Sequence, residues 1–553
     1  MTDWDHVTDL LVIGSGAGAV GALRASALGK EALVVEKTDL FGGSTAMSGG
    51  VVWMPNNPLM QREGISDSFD EAQRYFETLV GDAGPASSPE RRTAYLTDGN
   101  EMIYFLESEG VEFIRCPGMS DYYAGMRGFE GGSLPGRSLE PKVFDRKKLG
   151  AWRNKMRPGF SPGLNIYTGE AAHLQALRST GGYSTAARVG LRTAWGVVSG
   201  KKYVTNGEAL MARVLHALLR RRVPVWLNSP VTELIVDNSR VIGAVIAKDG
   251  RAVRVRARDG VLVASGGYAR NIEMRKRFQA DLGPVSDQWT SANPGETGEM
   301  LQMMLDLGAA TDLIDEAWWM PTWFAGGKAM MCMSERSKPH SMIVDSSGER
   351  FFNESISYQE AGQQMYKRER ETGGAIPAWL IIDTDHRRRY TFLMAPPGMT
   401  PRSWLKSGAW KSADTIDALA RDCGIDPQGL QKTVERFNGF ARTGVDEDFN
   451  RGEGGFEQFY GDPDHGPNHC LGEIARAPFY AIPLYPGDIG TSGGVLSDEH
   501  GRVLDRDGAP IEGLYATGNV TASVMGRRYP GAGATIAASA VFGYTAANHA
   551  GKR

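Results

Sequence analysis

Near the end of the chain stands Tyr529-Pro530-Gly531-Ala532-Gly533, directly ahead of an alanine-rich stretch, Thr535 to Ala547, that reads as a helix. A helix N-terminus presents unpaired backbone N–H groups and the positive end of the aligned peptide dipoles. Small or rigid residues in front of it let backbone approach a bound molecule closely. A tyrosine hydroxyl and a glycine N–H placed there could hold an oxygen that becomes negative during a reaction. The same residues also suit a plain glycine turn before a buried helix, so the other motifs have to decide.

The N-terminal segment carries a second chemistry. Leu10-Leu11-Val12-Ile13 reads as a buried strand, followed by Gly14-Ser15-Gly16-Ala17-Gly18-Ala19 and a helical run through Leu28. Gly14 permits the tight turn, Gly16 lets backbone approach a pyrophosphate, and Ala19 is small enough for the helix to pack on the strand. A second strand, Ala32-Leu33-Val34-Val35, ends in Glu36, 22 residues after Gly14, where an acid takes ribose hydroxyls. Strand, glycine loop, helix and acid together predict a dinucleotide site. Phe41 to Gly50 then adds a second small-residue loop with two glycine pairs, Gly42-Gly43 and Gly49-Gly50, around Ser44, Thr45 and Ser48. NAD does not need such a loop. The long ribityl-pyrophosphate chain of FAD does, with Ser44, Thr45 and Ser48 expected as donors.

These motifs need a large scaffold. The 553 residues exceed what one hydrophobic core usually supports, so two domains interleaved in sequence are expected. Hydrophobic residues at 41%, charged residues at 23% and a net charge of −4 fit a globular protein and supply no basic face for nucleic acid. Cys116, Cys332, Cys423 and Cys470 are widely separated and form no metal or disulfide pattern. The apolar run Leu10 to Leu23 follows Asp3, Asp5 and Asp9 instead of basic residues, so export is not expected and a reduced, cytoplasmic protein is. Residues 100 to 202 read as an excursion from the nucleotide domain, with a turn-rich stretch around Asp121-Tyr122-Tyr123, where a tyrosine pair could face solvent, and Gly131 to Arg137. Its last part, Ala186 to Lys202, mixes Val189, Leu191, Trp195, Val197 and Val198 with Arg188, Arg192, Lys201 and Lys202. Such a helix could lie on a membrane surface, although covering a domain is the commoner use. No run of about 20 apolar residues exists to span a bilayer.

Beyond it, the pattern predicts a helix over Ala209 to Leu219, a strand over Val223 to Leu227, a hairpin over Val231 to Val236 and Val241 to Ile246, and a strand running through Gly260 to Ala264. Trp318 to Phe324 is an aromatic block in a loop-like context that suits a flat apolar ligand or a core. Ile343 to Glu354 reads as a hairpin turning at Gly348, and Pro486 to Gly494 as a loop.

The chain resembles, over nearly its whole length, the 3-ketosteroid Δ1-dehydrogenases of the flavoprotein superfamily that also contains succinate dehydrogenases and fumarate reductases. The resemblance is carried by the N-terminal glycine fingerprint, Asp121-Tyr122, Asn353-Glu354-Ser355-Ile356-Ser357-Tyr358, Gly487 to Gly494, and Met525 to Gly533. It implies an α/β fold: a Rossmann-like FAD-binding domain from residues 1–277 and 485–553, interrupted by an α+β substrate and catalytic domain at 278–484. It implies FAD contacts from Gly14, Gly16, Ala17, Gly18, Ala19, Glu36, Lys37, Gly42, Gly43, Ser44, Thr45, Ser48, Gly49 and Gly50. Further along, it implies contacts from Val231, Ser265, Gly266, Gly518, Asn519, Gly533, Thr535 and Ile536. Superfamily members with covalent FAD carry a histidine in the second glycine loop; residues 40 to 50 contain none, so non-covalent FAD is implied.

For the reaction, the resemblance implies that Tyr529 and the Gly533 N–H hold the 3-keto oxygen while Tyr358 takes a proton from carbon 2. Tyr122, with Tyr123 as the alternative, is then hydrogen-bonded to Tyr358 and lowers its pKa. The implied partners are a 3-ketosteroid and an external electron acceptor, a quinone or another carrier. Fumarate reductases place histidine and arginine where this chain has Ile489-Gly490 and Tyr529, which argues against a dicarboxylate, though Arg527 or Arg528 in a shifted register could restore that reading. A 3-oxo-5α-steroid 4-dehydrogenase is the near alternative and a non-catalytic flavin-binding protein the distant one.

Overall fold

The computed structural model describes residues 4–159, 163–393 and 395–552, so Asp3 lies outside it. The strand His6–Ile13 is buried along its second half and pairs in parallel with Ala32–Val35 on one side and Arg251–Val263 on the other. Ala32–Val35 pairs with Val225–Trp226, and Arg251–Val263 with Pro510–Ala516, both in parallel. Parallel strands buried on both faces read as continuous aliphatic runs, which is why the sequence pattern located them. The hairpin Val231–Asp237 and Arg240–Lys248 joins antiparallel to Arg251–Val263, and Arg502–Leu504 joins antiparallel to Pro510–Ala516, completing an eight-stranded sheet drawn from the start, middle and end of the chain.

Helices Val20–Ala27, Asn206–Arg220 and Ala534–Ala550 cover this sheet. The last is apolar all round and buried over most of its length, so it lies inside the molecule instead of on it. A methyl added at Gly21 would come within 2.8 Å of the Gly543 carbonyl, so two glycines let this helix meet Val20–Ala27.

A second sheet of six strands has Phe479–Thr491 at its centre, antiparallel to Ala317–Ala325 and to Ala378–Ile382. Three expectations are corrected here. The aromatic block is not a loop but most of the strand Ala317–Ala325: Trp318 and Met320 face one core while Ala317 and Trp319 face another, the two-residue alternation of a strand. Pro486 to Thr491 is also strand, tolerated because Pro486 lies opposite Pro321 and neither has an N–H to pair. The turn at Gly348 exists, but no second strand follows; Ser341–Val344 pairs instead with Ala378–Ile382. Arg350 and Glu354 are drawn into a buried ion cluster with Asp446 and Arg451, which holds the returning chain in turns. The residue expected to open the C-terminal segment, 485, falls inside the central strand.

The excursion supplies Phe113–Arg115 and Ser138–Pro141 to a three-stranded sheet with Val52–Trp53, and two turns that carry Tyr122. These turns are fastened by buried Arg137, which bridges Asp67 at 2.6 Å and Asp121 at 2.8 Å, while Asp121 also accepts from Trp53 Nε1 at 2.8 Å. The largest core runs from the nucleotide sheet through Trp53, Tyr75, Tyr122, Trp318, Tyr358, Phe456 and Tyr529.

Candidate active site

Tyr122, Tyr358 and Tyr529 come from three distant parts of the chain and meet in this core, each no more than 4% exposed. Tyr358 is the first residue of the helix Tyr358–Thr372, and its hydroxyl accepts from the Tyr122 hydroxyl at 3.1 Å. The Tyr529 ring lies 5.6 Å from Tyr122 in a stacked arrangement and 5.0 Å from Tyr358. Backbone ties hold the group together: Pro530 O accepts from the Tyr122 N–H at 2.9 Å and from the Tyr75 hydroxyl at 2.8 Å. Gly533, the N-cap of Ala534–Ala550, has φ +93°, and a methyl there would sit 2.1 Å from Val51 O, so only glycine fits. The N–H groups of Gly533 and Thr535 face the Tyr529 hydroxyl. Phenol and helix N-terminus thus converge on one point.

Tyr123 is fully buried, which corrects the solvent-facing reading of the pair. It packs on Phe129 away from the three phenols, its hydroxyl toward Ser357 and Glu360 with no hydrogen bond closed. Tyr122 is therefore the phenol that meets Tyr358. The expected lowering of the Tyr358 pKa is also corrected. Burial pushes the phenol well above its ordinary value, and the neighbouring phenols Tyr122 and Tyr529 push the same way. Burial likewise raises Tyr122 and Tyr529, and buried Arg336 opposes it at Tyr122.

Two residues around the phenols had gone unassigned. Trp318 stands perpendicular to Tyr529 at 5.1 Å and donates Nε1 to Asn519 Oδ1 at 3.1 Å, which also accepts from Thr535 Oγ1 at 3.1 Å. The alternation of its strand was the signal that could have singled it out. Phe456, in the short helix Gly455–Tyr460, lies 4.1 Å from Tyr122 and had no signal in the sequence, being one apolar residue beside several glycines. Neither Arg527 nor Arg528 is free for a dicarboxylate: Arg527 pairs with Asp315 at 3.0 Å and with Glu316, and Arg528 with Glu360 at 3.0 Å. Ile489 packs against the phenol core. A cleft of about 580 Å³ near Glu140, Tyr167 and His173 contains none of the predicted site residues.

The glycines of the first loop divide by role. Methyls at Gly14 and Gly18 would meet Ala264 O at 2.2 Å and Ala264 Cβ at 2.5 Å, so those two serve the fold. At Gly16 the nearest atom is Thr45 Oγ1 at 3.5 Å, leaving open space for a ligand. Gly42, Gly43 and Gly50 take positive φ and bring the second loop against the first, with Ala17 N–H donating to Thr45 Oγ1 at 3.1 Å. Ala17 and Ala19 are buried in the short turn beneath. Of the three hydroxyls expected as free donors, Thr45 keeps its proton available. Ser44 is committed to buried Glu296 and Ser48 to Thr45 O at 2.7 Å, with Ser48 also holding the Gly49-Gly50 turn.

Glu36 already accepts four bonds, from Ser15 N at 3.1 Å, Ser15 Oγ at 2.6 Å and both Thr38 N and Thr38 Oγ1 at 2.9 Å, so ribose hydroxyls would replace one of the two side-chain donors. Lys37 turns its ammonium to Thr297 and Glu299. Val231 begins its strand close to Glu36, whose carbonyl accepts from Ser229 N–H at 2.9 Å. Gly266 with Ser265, and Gly518 with Asn519, form left-handed turns at the ends of adjacent parallel strands, and Thr535 and Ile536 follow in the first turn of the last helix. A glycine-lined groove at the carboxyl ends of parallel strands, with a space at Gly16 that the chain leaves open, fits a dinucleotide.

Fold and site define a flavin-dependent oxidoreductase, and residues 9–536 match the FAD binding domain family. A 3-oxosteroid 1-dehydrogenase of Mycolicibacterium smegmatis is 43% identical, the alignment covering 98% of this chain and 96% of that one. A 4-oxocyclohexanecarboxylate 2-dehydrogenase of Sinomonas cyclohexanicum is 34% identical over 97% of this chain and 92% of its own. The crystal structure of 3-ketosteroid Δ1-dehydrogenase from Sterolibacterium denitrificans, in complex with 1,4-androstadiene-3,17-dione, superposes with a TM-score of 0.93 at 36% identity, covering 99% of this chain and 100% of that one. The chain belongs to the 3-oxosteroid 1-dehydrogenase family of FAD-dependent oxidoreductases acting on CH–CH groups.

The open space at Gly16 makes a prediction that separates cofactor from fold. Gly16→Ala should melt like the unaltered protein yet retain little flavin on purification. A full flavin-to-protein absorbance ratio in the variant would show that the pyrophosphate does not pass there.

Proposed function

We propose that the three phenols serve a reaction that removes one hydrogen each from carbons 1 and 2 of a 3-ketosteroid. The observation that carries this reading is the contact between the Tyr122 and Tyr358 hydroxyls, with the Tyr529 ring on both and the N-terminus of the last helix behind it. The ketone oxygen accepts from the Tyr529 hydroxyl and the Gly533 N–H, which strengthen their hold as it becomes an enolate. One such donor is worth about 2.7–4 kcal/mol of barrier. That oxygen draws electrons from carbon 2, and Tyr358 takes the proton released there. Tyr122 keeps the Tyr358 hydroxyl oriented. Bound FAD supplies the acceptor for the hydride that leaves carbon 1. The dinucleotide part is read as residues 1–277 with 485–553, the catalytic part as 278–484. FAD is read as non-covalent, with Glu36 on the ribose, the Val231 backbone near the adenine and the Gly16 backbone on the pyrophosphate. Reoxidation falls to a quinone or another carrier.

The protein is read as cytoplasmic with a surface for lipid. No helix among the described residues is long and apolar enough to cross a membrane. The helix Thr180–Val198, however, exposes Leu191, Trp195 and Val198 at 73%, 63% and 80%, spaced along one face, and Lys201 and Lys202 follow it. Apolar side chains beside cations suit the surface of an anionic bilayer, where steroids dissolve.

Four measurements test these readings. Anaerobic bleaching of the flavin with 4-androstene-3,17-dione should yield a steroid lacking one hydrogen each at carbons 1 and 2. Bleaching only by a saturated 5α-3-ketosteroid would favour the 4-dehydrogenase instead, and no bleaching by either would sink both. Tyr358→Phe and Tyr529→Phe should keep flavin while turnover falls by on the order of 100-fold or more.

The pH profile follows from the burial of Tyr358. A raised phenol pKa leaves the proton-accepting form scarce at neutral pH, and its population grows as pH rises. kcat/KM should therefore climb by up to roughly tenfold per unit between pH 7 and about 10. A plateau below pH 8 would contradict a base held by burial alone. Finally, the protein should co-sediment with vesicles containing anionic lipid and Trp195→Glu should not; an unaltered protein that stays in the supernatant would remove the membrane contact.

A further inference from the structure

Each phenol has a sequence neighbour in a second layer that the reaction, as read above, leaves unused. Tyr123 follows Tyr122, Glu360 lies two residues after Tyr358, and Arg528 directly precedes Tyr529. Arg528 Nη1 donates to Glu360 Oε2 at 3.0 Å, joining the turn of Tyr529 to the helix of Tyr358. The buried ring of Tyr123 brings its hydroxyl toward the same pair. A second arginine repeats the arrangement one residue earlier: Arg527 binds Asp315 and Glu316, while its carbonyl accepts from Gln363 Nε2 on the Tyr358 helix at 2.9 Å. Buried Glu316 in turn accepts from Trp319 Nε1 at 2.9 Å and Gln359 Nε2 at 3.3 Å. Gln359 directly follows Tyr358, and Trp319 directly follows Trp318, the ring that stands against Tyr529.

Between Tyr358 and Tyr529 themselves the rings meet at 5.0 Å in a tilted contact, with the two hydroxyls facing each other. The reaction needs that spacing fixed. Tyr358 must reach a hydrogen on carbon 2 while Tyr529 holds the oxygen on carbon 3, and a misplacement of about 1 Å costs on the order of 100-fold in rate.

We propose that Glu360 and Arg528 are positioning residues, an ion pair that sets the distance between the proton-taking and the oxygen-holding phenol. The inference rests on the reading of Tyr358 and Tyr529 given above. Both partners keep some solvent exposure, 18% and 34% at the side chain, where an ion pair contributes little to stability. Its loss should therefore appear in the chemical step and not in the melting curve.

The test is a double-mutant cycle on the holoenzyme: Glu360→Gln, Arg528→Gln, the double variant, and Arg528→Lys. Steady-state kcat and KM for 4-androstene-3,17-dione are read with the flavin-to-protein ratio and Tm. Each glutamine variant should lower kcat by on the order of 10- to 100-fold with KM, flavin content and Tm nearly unchanged. The double variant should be no slower than the slower single one, because both remove the same tie. Arg528→Lys should recover part of the rate, since the charge returns without the fork.

Additive losses, or an unchanged kcat in either single variant, would overturn the pair as a positioning device. A rate loss matched by lost flavin or a lower Tm would assign it to folding alone and overturn it equally. An unaltered enzyme whose flavin the steroid fails to bleach would instead bring down the reading of the phenols, and the inference with it.

Discussion

One short turn has to satisfy both halves of the molecule at once. Tyr529 to Gly533 closes the cluster of three phenols on one side and caps the buried last helix on the other. Its geometry is interlocked with the N-terminal half: a methyl at Gly531 would strike the Trp53 ring at 2.3 Å and one at Gly533 would strike Val51 O. The Pro530 carbonyl anchors Tyr122 and Tyr75, Arg528 ties the turn to the helix Tyr358–Thr372, and Arg527 ties it to Glu316, just ahead of the strand Ala317–Ala325. Small residues are required there because three elements approach through the space a side chain would fill.

That crowding has an electrostatic consequence. Phenols driven into an apolar core lose the solvation their anions need, so all three resist ionisation in the protein alone. For Tyr529 this suits the work proposed, since a donor must keep its proton. For Tyr358 it opposes the work, and the cationic influence of Arg336 falls on its partner Tyr122. The buried ion pair of Arg137 with Asp121 is hydrogen-bonded internally and holds in place the turns that carry Tyr122.

Glycine spacing and aliphatic runs were legible because they report local constraints. The parallel strands, the first loop and the Asn206–Arg220 helix stand where the pattern puts them. Where side-chain burial overruled local composition, the reading went astray. Trp318 to Phe324 and Pro486 to Thr491 look like loops because Pro321 interrupts the first and Pro486, Gly487 and Gly490 the second, and proline and glycine rarely make strands. Pairing with each other across the second sheet supplied what local propensity lacked. Ser44 and Ser48 looked like free donors, yet nearby acceptors had already claimed their protons.

By itself, the sequence determined the nucleotide fingerprint, the glycine turn before the last helix and the family resemblance, because each is a property of neighbours along the chain. Only the tertiary structure chose Tyr122 over Tyr123, since adjacent residues in a turn point opposite ways and packing decides which one meets Tyr358. It also took Arg527 and Arg528 out of contention as ligands for a dicarboxylate, by pairing them with Asp315, Glu316 and Glu360. Those acids lie more than 160 residues away, and a pairing across that separation is set by how the two sheets dock, which no local pattern encodes.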